Sequence, residues 1–284
     1  MRARTSVATR GRPHRVAVRV TVATLVATAG LLVAPVVSTG NPHAPVEATI
    51  TEDAVTGAHP RVTADFDLAA VVLPEDSAAT AVSVRVRGSQ GWSDWTSVEV
   101  REEDAGPDPG TEEHARARKA TEPLLAAASS EIEVRLPDGE SATVVLIDGG
   151  EAATGPAQQA GAAPAILGRA EWGADETLRS CTPSRLHGYK GAVVHHTVNS
   201  NTYTAAQAPA LVRSIYAYHA STLGWCDVGY QFLVDRFGTI YEGRAGSVAG
   251  AVQGAQSGGF NAETFGVAII GDFARTPQRL FVIR

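Results

Sequence analysis

The sequence feature that most constrains the fold is a short apolar run that ends in two adjacent histidines. The run is Gly191–Val194, and His195 and His196 follow it directly. Such a run predicts a short buried strand that delivers an imidazole, a good zinc ligand, to the strand end. Neighbouring side chains on a strand point to opposite faces of the sheet, so only one of the two histidines can enter a given site.

The first forty residues have the composition of a secretory signal. Six arginines and no acidic residue precede the uncharged stretch Val20–Val37, and the small residues Ser38–Gly40 follow it. A basic region before an apolar region predicts export. A single membrane anchor is the alternative, but Pro35 and the small residues favour cleavage. We therefore assign residues 1–40 to a signal peptide and expect a secreted, cell-wall-associated protein with no stable membrane association after cleavage.

Cysteine usage and charge restrict the function classes further. The chain contains two cysteines, Cys181 and Cys226. In an exported protein such a pair predicts one disulfide, and two buried thiols are the alternative. Residues 41–150 hold 21 acidic and 8 basic residues, whereas residues 151–284 hold 9 acidic and 10 basic residues. Neither half carries a basic cluster, so no nucleic-acid partner is expected.

The first half of the chain, residues 61–148, has the pattern of a β-rich module. Apolar and polar residues alternate in several short runs: Ala81–Val86, Val98–Val100, Ile132–Leu136 and Thr143–Ile147. This spacing predicts a small β-sandwich. Residues 41–60 are expected to be flexible, the acidic loop Arg101–Thr121 mobile, and residues 149–165 a linker.

Trp92 and Trp95 precede one of the strand runs of this module. Aromatic faces can stack on sugar rings, which would make the pair a carbohydrate platform. Large aromatic side chains mostly serve burial, so we favour packing in the sandwich core or over a sheet edge.

The second half, residues 166–284, alternates strand and helix patterns. The predicted elements are strands at Gly191–Thr197, Tyr230–Val234, Thr239–Tyr241 and Phe265–Gly271, and a helix from Pro209 to Thr222. Proline suits the first turn of a helix, and Leu211, Ile215, His219 and Thr222 share one face. Alternation of this kind predicts an α/β domain with a mixed central sheet flanked by helices.

Five motifs in this half resemble the peptidoglycan recognition proteins and the related zinc-dependent N-acetylmuramoyl-L-alanine amidases of the phage-lysozyme type. They are Arg169–Ala174, Val193–Thr197, His219 with Gly224–Tyr230, Gly238–Arg244, and Gly259–Asn261 with Phe265–Gly271. The resemblance implies a groove for the peptide stem of peptidoglycan. It also implies hydrolysis of the amide between N-acetylmuramic acid and L-alanine.

The resemblance assigns roles residue by residue. His195 matches a zinc ligand, and Tyr230 matches the catalytic tyrosine that assists the zinc-bound water, whose pKa zinc lowers to roughly 7. Positions that match substrate contacts are His219, Trp225, Arg244, Gln256 and Asn261, although His219 and Trp225 can equally be core residues. Arg244 suits a stem-peptide carboxylate. Asp227 is expected to cap a turn.

The chain departs from the family pattern at two places. Gln256 stands where the family has a histidine, and no histidine or cysteine follows Cys226. Family members carry the second and third zinc ligands, a histidine and a cysteine, after the Gly271 strand. We therefore expect a C-terminally truncated domain with an incomplete zinc site and impaired hydrolysis, and leave its status as an enzyme open. The alternative is a secreted, non-catalytic peptidoglycan-binding module.

Overall fold

The first half of the chain forms a single antiparallel sheet. The computed structural model describes residues 45–101, 105–136, 140–150, 166–198 and 201–273. The strands are β1 (Thr49–Thr56), β2 (Arg61–Val72), β3 (Ala81–Gly88), β4 (Gly91–Trp92), β5 (Thr96–Glu99), β6 (Leu124–Arg135) and β7 (Ser141–Asp148). They lie in the order β1-β7-β2-β6-β3-β4, and β5 also pairs with β3. A five-residue helix, α1 (Glu112–Arg116), lies between β5 and β6.

Strand β2 contributes to two different cores. Ala69 and Val71 pack inside the first module, whereas Leu68, Ala70 and Val72 belong to a core shared with the second half of the chain. Because successive side chains leave a strand on opposite faces, a continuous apolar run fits a sheet that is covered on both sides. The register shifts between β2 and β6 allow both strands to bend around the first core.

The second half forms a mixed five-stranded sheet. Its strands are β8 (Ile166–Leu167), β9 (Gly191–His196), β10 (Phe232–Val234), β11 (Ile240–Glu242) and β12 (Thr264–Ile269). Their order is β8-β11-β10-β12-β9, with only the β10–β11 pair antiparallel. The predicted fold class, a small β-sandwich-like module followed by an α/β domain with a mixed sheet, is confirmed, and the strands of the module pair in one seven-stranded sheet.

Helix α2 (Ala208–Ala217) joins the two sheets. Pro209 lies in its first turn, and a π-helical turn (Tyr218–Thr222) extends it to the predicted end. Leu211 and Ile215 pack in the same core as Leu68 and Ile147 of the first sheet. The helix is therefore buried on nearly all sides and fixes the two halves to each other within one compact unit.

Three predictions about local environment need correction. Strand β9 is an edge strand that pairs with β12, and Val194 is 68% exposed, so it is not the buried strand that its apolar run predicts. Thr49–Thr56, expected to be flexible, forms β1 and pairs with β7 along its whole length. The acidic loop, expected to be mobile, contacts the second half of the chain through its described residues. The predicted signal peptide and residues 151–165 of the predicted linker lie outside the described residues.

The two tryptophans of the first module do not lie in its core, and of the two favoured places Trp92 has the other, the edge strand β4. Trp92 and Trp95 are partly exposed rather than buried in the core. Arg85 lies 4.9 Å from both ring centroids, and Arg135 lies 4.2 Å from that of Trp95. The rings therefore form a cation–π stack on the module surface, which sequence reasoning did not anticipate. In the described part of the chain, no helix is long and apolar enough to cross a bilayer.

Candidate functional site

The register of β9 against β12 places the two adjacent histidines on opposite faces of the sheet. His195 pairs with Ala268, whose face is buried, and His196 pairs with Ile269. His196 accepts a hydrogen bond at Nδ1 from the backbone N–H of Phe273, at 3.1 Å. The structure thus separates the two imidazoles as strand geometry requires, and it leaves His195 to face the candidate site.

Four aromatic rings form a continuous row on the His195 side of the sheet. The ring centroids of His195 and Tyr230 are 5.2 Å apart, and those of Tyr230 and His219 are 5.4 Å apart. His219 is stacked on Trp225 with a centroid distance of 4.7 Å. The structure therefore brings together four residues that the sequence singles out, from β9, the π-helical turn and the loop before β10.

The two ends of this row differ in their access to solvent. His219 and Trp225 are buried, and Nδ1 of His219 accepts a hydrogen bond from the backbone N–H of Gly229 at 3.2 Å. Burial lowers the pKa of His219 well below its usual value, so its imidazole is neutral. His195 and Tyr230 are only partly buried, so the His195 end of the row is the one that a ligand can reach.

Burial also governs the ionisation of these two accessible residues. It lowers the pKa of His195, and the hydrogen bond that His195 donates to Gln256 partly offsets this effect. Burial raises the pKa of Tyr230 to about 12, so its hydroxyl keeps its proton at neutral pH. That hydroxyl makes no hydrogen bond within the described residues. It is therefore available as a donor to a bound ligand.

Gln256 places a neutral amide beside His195. Its Oε1 lies against Nε2 of His195, and its Nε2 donates to Oγ1 of Thr264 at 3.0 Å. Its backbone N–H donates to Oδ1 of Asn261 at 2.7 Å. Gly266 makes room for this side chain, because a Cβ at that position would lie 2.5 Å from Cγ of Gln256. The glutamine is thus held on three sides.

The donors around His195 do not fit a zinc ion. Within the described residues, no three His, Cys, Asp or Glu side chains lie close enough together to hold a metal. A catalytic zinc needs three protein ligands and an open position. Cys226 is not one of them, because it forms the predicted disulfide with Cys181, with Cα atoms 5.3 Å apart.

Arg244 and Asn261, which the resemblance matches to substrate contacts, are buried and bonded to the first module. Arg244 donates to the carboxylate of Glu113, and Nδ2 of Asn261 donates to Oδ1 of Asp108 at 2.8 Å. Sequence reasoning missed both acids. The excess of acidic residues in the loop is the signal that could have drawn attention to them, but their partners lie more than 130 residues further along the chain.

A charged pair from the first module also lies beside the aromatic row. Arg101 donates to Oε1 of Glu122 at 3.0 Å, and its guanidinium lies 4.9 Å from the ring centroid of Trp225. Burial is the largest single effect and works to lower the pKa of Arg101, but the charges of Glu122, Tyr218 and Tyr230 and the hydrogen bond to Glu122 together raise it. The buried end of the row is therefore covered by the first module.

Comparison with known proteins agrees with this architecture. The family described as Rv3811 N-terminal galactose-binding domain-like matches residues 16–165, and the family N-acetylmuramoyl-L-alanine amidase matches residues 186–280. Peptidoglycan-recognition protein SC2 of Drosophila melanogaster is 32% identical over 108 residues, which are 38% of this chain and 55% of that protein. Peptidoglycan recognition protein 3 of Homo sapiens is 35% identical over 114 residues, 40% of this chain and 31% of that protein.

A solved structure, human PGRP-IBETAC in complex with glycosamyl muramyl pentapeptide, is 31% identical and covers 40% of this chain and 65% of that chain. Its TM-score is 0.35, so the fold assignment rests on the sheets described above. The chain belongs to the family with an Rv3811 N-terminal galactose-binding domain-like module. Its C-terminal domain belongs to the peptidoglycan recognition protein and N-acetylmuramoyl-L-alanine amidase family. The chain spans about half the length of the Drosophila relative and less of the human one.

Proposed function

We propose that the chain is an exported peptidoglycan-binding protein whose C-terminal domain recognises the muramyl stem peptide without hydrolysing it. The observation that carries this proposal is the partnership of His195 with Gln256. The imidazole that faces the site is bonded to a neutral amide, and the described residues around it offer no set of three metal donors. A site of this kind can form hydrogen bonds to a ligand.

The chemistry of the accessible residues suits a muramyl peptide. The Tyr230 hydroxyl, which has no hydrogen-bond partner among the described residues, can donate to an amide or lactyl carbonyl, and the His195 ring offers a neighbouring polar edge. Aromatic surface beside a few convergent polar groups is the usual make-up of a small-ligand site. The names of the relatives, which are peptidoglycan recognition proteins, support the same ligand class.

Export is part of this proposal and rests on the sequence of residues 1–40. The arginine-rich region and the apolar stretch Val20–Val37 are typical of a secretory signal. The disulfide between Cys181 and Cys226 is consistent with an oxidising compartment. The peptidoglycan of the cell wall is accessible from that side of the membrane.

A second candidate function is hydrolysis of the N-acetylmuramoyl–L-alanine amide, with zinc as the family cofactor. It is favoured by the 5.2 Å approach of the His195 and Tyr230 rings and by the amidase family that matches residues 186–280. The donor set described above does not fit the metal, so we rank this function second.

Retention on insoluble peptidoglycan, measured together with release of soluble muropeptides, separates the two candidates. We expect retention that a chelator does not change, and no release. His195→Gln should reduce retention several-fold, whereas the matched control His187→Gln, at an exposed position, should not. Release that is abolished both by chelator and by Tyr230→Phe would establish hydrolysis instead. Failure of the unmodified protein to bind would overturn the proposal.

A further inference from the structure

The first module inserts an acidic segment into the C-terminal domain. This docking segment, Gly106–Arg116, contains α1 and carries Glu113, whose Oε1 accepts hydrogen bonds from Nη2 of Arg244 at 2.5 Å and from the backbone N–H of Cys226 at 2.9 Å. Oε2 of Glu113 accepts from Nη1 of Arg244 at 3.2 Å. Three donors of the C-terminal domain thus converge on one carboxylate, which defines a first carboxylate subsite.

A second carboxylate subsite holds Asp108 of the same segment. Oδ1 of Asp108 accepts from the backbone N–H of Gly259 and from Nδ2 of Asn261, both at 2.8 Å. Its Oδ2 accepts from Nε2 of Gln253 at 2.7 Å. These neutral donors come from the loop between β11 and β12, which also carries Gln256 beside His195.

The docking segment also closes the space over the aromatic row. Gly106 lies so near Trp225 that a Cβ would be 3.2 Å from the indole ring, and its carbonyl accepts from Nδ2 of Asn261 at 2.9 Å. Trp225, Arg244 and Asn261 are therefore covered by residues of the same chain. They are also three of the positions that the sequence matches to ligand contacts.

The way the segment is held favours release over permanent anchoring. Gly106 and Pro107 at the start of the segment are buried, but α1 buries none of its residues, and the contacts of Glu113 are polar rather than part of an apolar core. A ligand that has its own carboxylates can accept the hydrogen bonds that Glu113 and Asp108 accept in the closed arrangement. The exchange leaves no buried guanidinium without a partner, which would otherwise make opening costly.

We propose that the docking segment is an internal occupant of these two carboxylate subsites, and that it competes with the carboxylates of a peptidoglycan stem peptide for Arg244, Asn261 and Gln253. This inference rests on the proposed function and adds a regulatory step to it. The apparent affinity for peptidoglycan then equals the affinity of the open form multiplied by the fraction of molecules in which the segment is released.

Co-sedimentation with insoluble peptidoglycan tests the competition. The double variant Asp108→Asn with Glu113→Gln keeps the shape of both side chains and removes their charges. We expect it to bind about tenfold more tightly, as a segment closed about nine-tenths of the time predicts. Glu112→Gln is the matched control, because Glu112 is the exposed neighbour on α1 and should leave binding unchanged.

The outcomes of this experiment separate the two proposals. Equal binding by the double variant and the unmodified protein overturns the competition and leaves peptidoglycan binding intact. Weaker binding by a double variant with an unchanged melting temperature also overturns it, because the segment would then support the ligand. Absence of binding by both proteins removes the proposed function and, with it, this inference.

Trypsin cleavage of the unmodified protein gives a measurement that does not depend on folding of a variant. Arg116 is exposed at the end of α1. A soluble muramyl peptide with free carboxylates should speed cleavage after Arg116 several-fold, whereas the same peptide with amidated carboxylates should not. Protection of Arg116, equal effects of both peptides, or no effect of either would contradict displacement by carboxylates.

Discussion

Arg169 and Asp227 form an ion pair in the interior of the C-terminal domain, with Nη1 and Oδ1 separated by 3.1 Å. The Asp227 side chain is fully buried and also accepts hydrogen bonds from the backbone N–H groups of Val228 and Ala245. Burial is the largest single effect and works to lower the pKa of Arg169, but the charges of Asp227 and Glu176 and the hydrogen bond to Glu176 together raise it. The aspartate therefore does more than cap the turn before Tyr230, because it also ties that turn to the start of the domain.

Replacing Asp227 should destabilise the domain strongly. Asp227→Asn leaves the buried guanidinium of Arg169 with fewer counter-charges, and loss of one partner of a buried pair costs about 3 kcal/mol or more. Urea unfolding measures the change. Asp65→Asn, at an exposed position on β2, is the control and should change the free energy of unfolding by less than about 0.5 kcal/mol. A loss below about 1 kcal/mol for Asp227→Asn would mean that the pair is not closed in solution.

Stability should fall as the solution is acidified below about pH 6.5, because His219 stays neutral in the folded state. Its pKa is lowered by burial, whereas the unfolded chain takes up a proton near pH 6.5. The unfolded state then binds more protons, so the free energy of unfolding decreases by up to about 1.4 kcal/mol per pH unit from this residue. Unfolding measured from pH 7 to pH 5 tests it.

Substitution separates the contribution of His219 from that of other titrating groups. His219→Gln should flatten the dependence of stability on pH in this range, and His187→Gln should leave it unchanged because His187 is exposed. An equal slope for the unmodified protein and the His219 variant would show that the imidazole is protonated within the fold.

Relief of backbone strain at Val198 should stabilise the protein. Val198 has φ +52°, a left-handed conformation that is unfavourable for a β-branched residue. Val198→Asn should raise the free energy of unfolding by about 1 kcal/mol, because asparagine tolerates this conformation. Val194→Asn, an exposed valine on regular strand β9, should bring no gain. A loss at position 198 would indicate that the valine side chain makes compensating contacts.

Loss of the disulfide should lower stability through the unfolded state. Cys181 and Cys226 are separated by 45 residues, and closing a loop of this length is worth about 4 kcal/mol in the chain-entropy description. The double variant Cys181→Ala with Cys226→Ala should unfold at a correspondingly lower urea concentration. Reductant should shift the unmodified protein to the same midpoint and leave the double variant unchanged. No shift on reduction would mean that the bond does not form.

Strands with alternating or strongly apolar patterns could be predicted from the sequence, and β3, β7, β9 and β12 lie where such patterns occur. Strand β1 could not, because most residues of Thr49–Thr56 are exposed or half-buried and its existence depends on pairing with β7. The exposure of β9 could not be predicted either, because an apolar run has the same pattern whether the strand lies in the centre of a sheet or at its edge.

The members of the site could be named from local motifs, but their environment could not. His195, His219 and Tyr230 lie in patterns that a single segment reveals, and the structure brings their rings together. The contacts of Arg244 with Glu113 span 131 residues and depend on how two modules dock. No periodicity or spacing rule encodes such a contact. The sequence therefore could not show that Arg244, a residue suited to an external ligand, is bonded to Glu113 of the same chain.

The contact between Glu113 and Arg244 has a practical consequence for dissecting the protein. The two halves are not independent of each other, because an isolated C-terminal half would carry the guanidinium of Arg244 without its counter-ion, Glu113. Transplanting that half onto another scaffold therefore requires grafting an acid at the equivalent place.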